Sequence, residues 1–187
     1  MYLKTISIKG FKSFADHTII NLDDKINAIV GPNGSGKSNI VDAIKWVLGE
    51  QSPKNLRGES MHDVIFDGSL SRSSQNIATV ELIFDNSDSF IKNYPIEISI
   101  KRKVYRTGES EYYLNNKIVR LKDITNILLD TGINKESFNM IAQGEVDKII
   151  SNSSQDRKII IEQASGILKY KKERKKHLIS YLVLKII

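Results

Sequence analysis

The eight residues Gly31-Pro32-Asn33-Gly34-Ser35-Gly36-Lys37-Ser38 constrain this chain more than any other part of it. A compact apolar run, Ile26 to Val30, precedes them. Behind them Ile40, Val41, Ile44, Val47 and Leu48 recur at helical spacing until Gly49 ends the pattern. The order is strand, glycine loop, helix. The loop satisfies G-x-x-x-x-G-K-[ST] without a mismatch, and each residue type has a physical reason. Gly34 and Gly36 let the backbone turn so that successive N–H groups point inward, and the helix that starts here adds its positive dipole end. Lys37 brings a compact positive charge suited to the β- and γ-phosphates of a nucleotide, and Ser38 offers a hydroxyl to Mg²⁺.

The residues around the loop divide into a β-rich first part and an α-rich second part. Tyr2 to Ile8 alternates as a strand, Gly10 to Ser13 reads as a short basic turn, and Thr18 to Leu22 as a second strand. Ser52 to Arg72 is rich in Ser, Gly and charge apart from Val64-Ile65-Phe66, and is expected to be mostly loop. Ile77 to Phe84 and Ile96 to Tyr105 alternate as strands. Tyr112 to Leu114 and Ile118 to Val119 flank Asn115-Asn116, a pair that tolerates the positive φ of a tight hairpin. From Leu121 onward Ile124, Ile127, Leu128, Phe138 and Ile141 fall at helical spacings, with Gly132 as a break.

Composition excludes several classes. The chain has no cysteine, so disulfides and thiolate metal sites are ruled out, in keeping with a cytoplasmic protein. No stretch approaches the roughly 18 apolar residues of a membrane span, and no membrane partner is expected. The net charge of +6 suggests nucleic acid until it is located: Lys169 to Lys176 (KYKKERKK) holds six basic residues and one acid, and the rest is almost neutral. A P-loop alone does not choose among nucleotides or functions. A guanine-reading N-K-x-D is absent, because Asn116-Lys117 and Asn134-Lys135 continue as Ile118-Val119 and Glu136-Ser137.

Six ordered segments narrow the choice further. I-x-G-F-K-S-F (Ile8, Gly10 to Phe14), GPNGSGKSN, DAIKWVLGEQS (Asp42 to Ser52), LRGESMHDVIFDGS (Leu56 to Ser69), YRTGESEYYLNN (Tyr105 to Asn116) and IAQGEVDKII (Ile141 to Ile150) resemble the start of an SMC protein, of the bacterial chromosome partition kind. The resemblance covers about residues 1 to 176. It implies an α/β fold, an ABC-type P-loop NTPase half-head: a mixed β-sheet with a P-loop helix, then a helical segment leading into a coiled-coil neck. Residues 1–168 would be the N-terminal lobe of the head and 169–187 the start of the neck.

The resemblance also implies roles. Gly31 to Ser38 with Asn39 would hold ATP, and Ser38 and Gln143 would complete the shell of Mg²⁺. Lys12 and Ser13 would approach the α-phosphate or adenosine side, and Arg57 would place positive charge near the nucleotide or DNA. The implied partners are a separate C-terminal head lobe, a second SMC head on ATP engagement, a kleisin-type subunit at the neck, and double-stranded DNA at the nucleoid. Lys117, Arg120 and Lys122, clustered beside the Asn115-Asn116 hairpin, are candidates for the DNA backbone.

The catalytic part of such a site is not in these residues. The family needs an apolar strand ending in Asp-Glu, the glutamate polarising the attacking water. Leu82-Ile83-Phe84-Asp85 continues in Asn86, Val64-Ile65-Phe66-Asp67 in Gly68, and Ile159-Ile160-Ile161-Glu162 in Gln163, and no L-S-G-G-type signature occurs. The chain reads as half of an ATP hydrolase site, inactive in isolation. Alternatives are a non-catalytic remnant that binds DNA or partner proteins, or the head of a related coiled-coil repair ATPase. After Lys176 the expected charged heptads give way to an apolar tail, His177 to Ile187, as a truncated or frameshifted reading frame would produce.

Overall fold

The structure, a computed structural model, describes residues 1–131. Chain contacts separate two units, Met1–Thr125 and Asn126–Ile187, and the loop belongs to the first.

Six strands form one sheet in the order β2-β1-β3-β4-β5-β6. They are β1 (Tyr2–Lys9), β2 (Thr18–Asn21), β3 (Ile77–Asp85), β4 (Glu97–Tyr105), β5 (Ser110–Leu114) and β6 (Lys117–Val119). Every pairing among them is antiparallel. Period-2 alternation decides which side is covered. In β3 and β4 each second residue is buried, and register sets Ile6 against Leu82, Leu82 against Ile100, Ile8 against Val80, and Phe84 against Ile98. These side chains make one apolar face. The P-loop helix α1 (Lys37–Val47) lies on β3 and β4 with Ile40, Ala43, Trp46 and Val47 buried. Phe11 packs on Trp46 at a ring-centroid distance of 5.2 Å and an interplanar angle of 42°.

One residue in the buried row is charged. Arg102 follows Ile98 and Ile100 on the same face of β4, paired in register with Val80 on one side and Tyr112 on the other. Its guanidinium lies 4.6 Å from the Trp46 ring and 4.8 Å from the Tyr112 ring. Nη1 donates to the carbonyls of Trp46 and Glu50, each at 2.8 Å. Those oxygens belong to the last turn of α1 and the segment just beyond it, where carbonyls lack intrahelical partners and a cation meets the negative dipole end. Burial pulls the guanidinium down to about 10, still charged at neutral pH. Arg102 thus ties the sheet to the far end of the P-loop helix.

The turns match their residues. Asn115 and Asn116 take φ of 48° and 64°, the double positive φ of a tight hairpin, and the backbone N–H of Ser99 donates to Asn115 Oδ1 at 2.8 Å. Gly10, at φ 65°, has no room for a side chain, because a Cβ there would stand 2.2 Å from the Ile77 carbonyl oxygen. The expected loop after α1 contains two short 3₁₀ turns, Lys54–Leu56 and Met61–Val64, which bury Leu56 and Val64. Helix α2 (Leu121–Thr131) begins where helical spacing begins in the sequence.

One expectation fails. Ile26 to Val30 is not a strand, and Ile26 and Val30 are almost fully exposed, at 98% and 88%. An apolar run becomes a strand only where its N–H and C=O groups find a ladder, and the described sheet ends at β2 without taking it up.

Candidate nucleotide-binding site

The loop Gly31–Ser38 leads straight into α1, whose N-cap is Gly36 at φ 89°. Gly34 also has positive φ, 83°, and a Cβ built there meets nothing within 4 Å. The first turn of α1 contains no acid, and no side chain caps its N–H groups. Those donors and the dipole end are left for an anion.

Lys37 points back over the loop. Its Nζ donates to the carbonyls of Gly31 and Pro32, both at 2.6 Å, and it forms no ion pair among the described residues. An ammonium held only by neutral carbonyls of its own loop keeps its charge for a ligand.

Two neighbouring segments close on the loop. The turn after β1 is pinned by reciprocal backbone bonds between Phe11 and Phe14, and Lys12 adopts φ 48°. This brings Ser13 so close that a Cβ on Gly36 would stand 2.5 Å from Ser13 Oγ. The Asn39 amide donates to Ser13 Oγ at 2.9 Å and accepts from Arg57 Nη2 at 3.1 Å. Arg57 follows the first 3₁₀ turn at φ 57°, and its Nη1 donates to Ser38 Oγ at 2.9 Å.

These cations converge on one acid that sequence reasoning did not single out. Asp42 is buried, and its Oδ2 accepts from Lys12 Nζ at 2.5 Å, Arg57 Nη2 at 2.5 Å and Arg57 Nε at 3.2 Å. Lys12 Nζ also donates to the Leu56 carbonyl. The signal was in the sequence: Asp42 is the sole acid of α1 and lies four residues after Ser38, on the same helix face. With Lys12, Arg57 and Lys37 against one carboxylate, the immediate surroundings are net positive.

The other predicted residues are placed as follows. Ser13 and Asn39 are in the site, while Lys12 is turned into the protein on Asp42. Asn33 and Ser35 belong to the exposed loop. Lys117, Arg120 and Lys122 are all exposed, and none forms an ion pair among the described residues. Gln143, Lys169 to Lys176 and the apolar tail lie outside the described residues. Of the sites that imitate an Asp-Glu pair, Asp85 accepts the Ser87 N–H at 2.8 Å, and buried Asn86 exchanges hydrogen bonds with Ile91. Asp67 pairs with Arg106 at 2.8 Å. Both are structural.

The loop leading to Arg57's neighbours is held by another acid. Asp63 Oδ2 accepts the backbone N–H groups of Glu59 and Ser60 at 2.7 and 2.8 Å, and Ser60 Oγ donates to Oδ1 at 2.9 Å. The Ser60 and Glu59 bonds hold its carboxyl below the usual 3.8. A carboxylate depressed in the folded state contributes stability above its unfolded value, and the contribution is lost as pH falls through the folded value. Amide exchange at Glu59 and Ser60 is therefore expected to rise, relative to the β3 and β4 amides, below about pH 3.8. Asp63→Asn should show that faster exchange already at neutral pH.

The donor set fits a Mg²⁺-polyphosphate. Among the described residues no group of three or more His, Asp or Glu stands ready to hold a metal unaided. Mg²⁺ does not require one, since it keeps waters and binds through few protein ligands plus phosphate oxygens. Ser38 would supply the hydroxyl, and Lys37 the charge opposite the phosphates. Bound there, the nucleotide supplies the phosphoanhydride and the metal neutralises its charge.

The sequence matches the model of the RecF/RecN/SMC N terminal domain over residues 2–145. It is 53% identical over 174 residues to the chromosome partition protein Smc of Lactiplantibacillus plantarum, a match covering 93% of this chain and 15% of that protein. The chain thus spans about 15% of the length of the curated relatives it matches. Among solved structures, an Smc head bound to the C-winged helix domain of ScpA superposes with a TM-score of 0.85 and 38% identity, over 92% of this chain and 53% of that one. Another, from work on ATP-driven dimerization and DNA-stimulated activation of SMC ATPases, has a TM-score of 0.79 and 35% identity, over 88% of this chain and 99% of that one. A phosphate-type loop at the mouth of α1, the sheet that carries it, and these matches place the chain in the RecF/RecN/SMC N-terminal domain family, as the N-terminal part of an SMC-type ATPase head.

Proposed function

We propose that this chain supplies the ATP- and Mg²⁺-binding half of an SMC-type head that acts in chromosome partition. The observation that carries the reading is Lys37, a cation without a carboxylate partner among the described residues, set over an uncapped helix N-terminus next to the Ser38 hydroxyl. In the proposed site Gly31 to Asn39 cradle the phosphates, Ser38 and Gln143 hold Mg²⁺, and Ser13 and Lys12 border the nucleotide. Arg57 adds positive charge. The glutamate that activates water comes from a separate C-terminal lobe. Two such heads would engage across ATP, a kleisin-type subunit would bind at the neck, and double-stranded DNA would meet Lys117, Arg120 and Lys122. The working place is the nucleoid in the cytoplasm. Among the described residues no helix is long and apolar enough to cross a membrane.

Ile26 to Val30 supports the split between lobes. An apolar run exposed to water forfeits roughly 1.5–3 kcal/mol for each large side chain that burial would protect. A C-terminal lobe that adds strands beside it would recover that and pair its backbone. The isolated chain is expected to bind ATP and turn it over at the background rate. Mixing in a matching C-terminal lobe should start Mg²⁺-dependent hydrolysis and slow amide exchange over Ile26–Val30. Hydrolysis by the isolated chain that disappears in Lys37→Ile would reject the half-site, and a lobe that restores turnover without protecting Ile26–Val30 would reject its pairing role.

A further inference from the structure

Arg57 stands on the hydroxyl that the loop would offer to a metal. Nη1 donates to Ser38 Oγ at 2.9 Å, while the Nε and Nη2 edge of the same guanidinium grips Asp42 Oδ2 at 3.2 and 2.5 Å. The two ends differ in character. The Asp42 side chain is only 9% exposed, it also takes the Lys12 ammonium, and it rides on α1 one turn after Ser38. The Arg57 side chain is 52% exposed, so its Nη1 end borders water. Backbone fixes where the side chain starts: Arg57 is in the left-handed region, its N–H bonded to the Lys54 carbonyl at 3.0 Å, just after fully buried Leu56.

An oxygen that accepts from a guanidinium N–H on this lone pair cannot present it to a divalent cation, and the two positive centres repel at such range. With the P-loop reading as its basis, we infer that Asp42 is a positioning residue that seats Arg57 on Ser38, so that the guanidinium occupies the Mg²⁺ hydroxyl until nucleotide and metal displace it. Because the Nε and Nη2 edge remains on Asp42, displacement releases Nη1 alone, and that donor stays beside the incoming phosphates. Arg57 then opposes metal entry before it assists the anion.

The inference is tested on the full chain by the dissociation constant of a fluorescent N-methylanthraniloyl ATP, measured in excess Mg²⁺ and in EDTA. The ratio of the two constants is the advantage that Mg²⁺ confers. Arg57→Ala should raise that advantage about fivefold, because Ser38 no longer has to be surrendered by a half-exposed charged donor. In Ser38→Ala the advantage should fall, and adding Arg57→Ala to it should change nothing more. Asp42→Asn should move the advantage toward that of Arg57→Ala, an effect that a purely structural acid would not produce. Should Asp42→Asn fail to fold, the Arg57 and Ser38 variants, both at exposed positions, still decide the matter. An advantage that is unchanged or lowered in Arg57→Ala overturns the inference while leaving nucleotide binding in place. No binding by the unmodified chain in either medium overturns the P-loop reading and this inference together.

Discussion

Lys37→Ala is expected to weaken ATP binding by about 100-fold or more while leaving the fold intact. In the proposed site Lys37 would give one charge-assisted hydrogen bond to each of the β- and γ-phosphates, and two such bonds at about 1.5–3 kcal/mol each amount to at least two powers of ten in affinity. The fold is spared because, among the described residues, Lys37 ties no other element in place. Its two bonds go to the carbonyls of Gly31 and Pro32 in an exposed loop. Isothermal titration with ATP and Mg²⁺, together with the thermal midpoint of the ligand-free chain, separates the two effects. A variant that binds within a few-fold of the unmodified chain would show that the ammonium does not face the phosphates. A midpoint that falls along with affinity would show that Lys37 holds the loop together.

Arg102→Ala is expected to cost about 3–5 kcal/mol of stability, the range for breaking a buried, hydrogen-bonded charge network. The truncation removes the Arg102 donor from the Trp46 and Glu50 carbonyls, the first of which keeps the Gly49 N–H at 3.3 Å, and opens the space between two aromatic rings. Arg102→Lys should recover only part of the loss. A lysine keeps the charge but lacks the planar group that stacks between Trp46 and Tyr112 while it donates to two carbonyls. Arg102→Met tests the opposite balance: it keeps volume and removes the desolvation cost, and should be less damaging than alanine. Chemical denaturation of the three variants gives the comparison. Because Arg102 holds the far end of α1, Arg102→Lys is also expected to weaken nucleotide binding about threefold through the loop at the near end. If alanine costs under 1 kcal/mol, Arg102 is not the tie between sheet and helix.

Much of this is legible in the sequence. The strands β1, β3 and β4, helix α1 and the Asn115-Asn116 hairpin each rest on a local pattern, and local patterns survive in the sequence because sterics and period-2 or period-3.6 burial act between near neighbours. The P-loop is legible for the same reason: its function is to arrange the N–H groups of consecutive residues. By itself the sequence therefore determined the glycine loop and the helix that follows it, while the basic turn and the Arg57 loop entered as attendants of that site through the family resemblance.

What it did not determine is how those attendants are joined. The two cations on Asp42, Lys12 and Arg57, come from the turn after β1 and from the residue that follows the 3₁₀ turn at Leu56, 45 residues apart in the chain. A carboxylate on an apolar helix reads as a solvated interruption until the register of β1 and the burial of Leu56 bring Lys12 and Arg57 over it. Arg102 is the same case in the sheet, since alternation places it on the apolar face and the end of α1 with the segment just beyond it provides the carbonyls that satisfy it. Ile26 to Val30 fails in the opposite sense: apolar composition announces a strand, but a strand exists only by hydrogen-bonding to another, and no local rule reports whether the partner is present. Tertiary structure decides such matters because charge pairing and β-ladders depend on distance in space, to which separation along the chain is almost no guide.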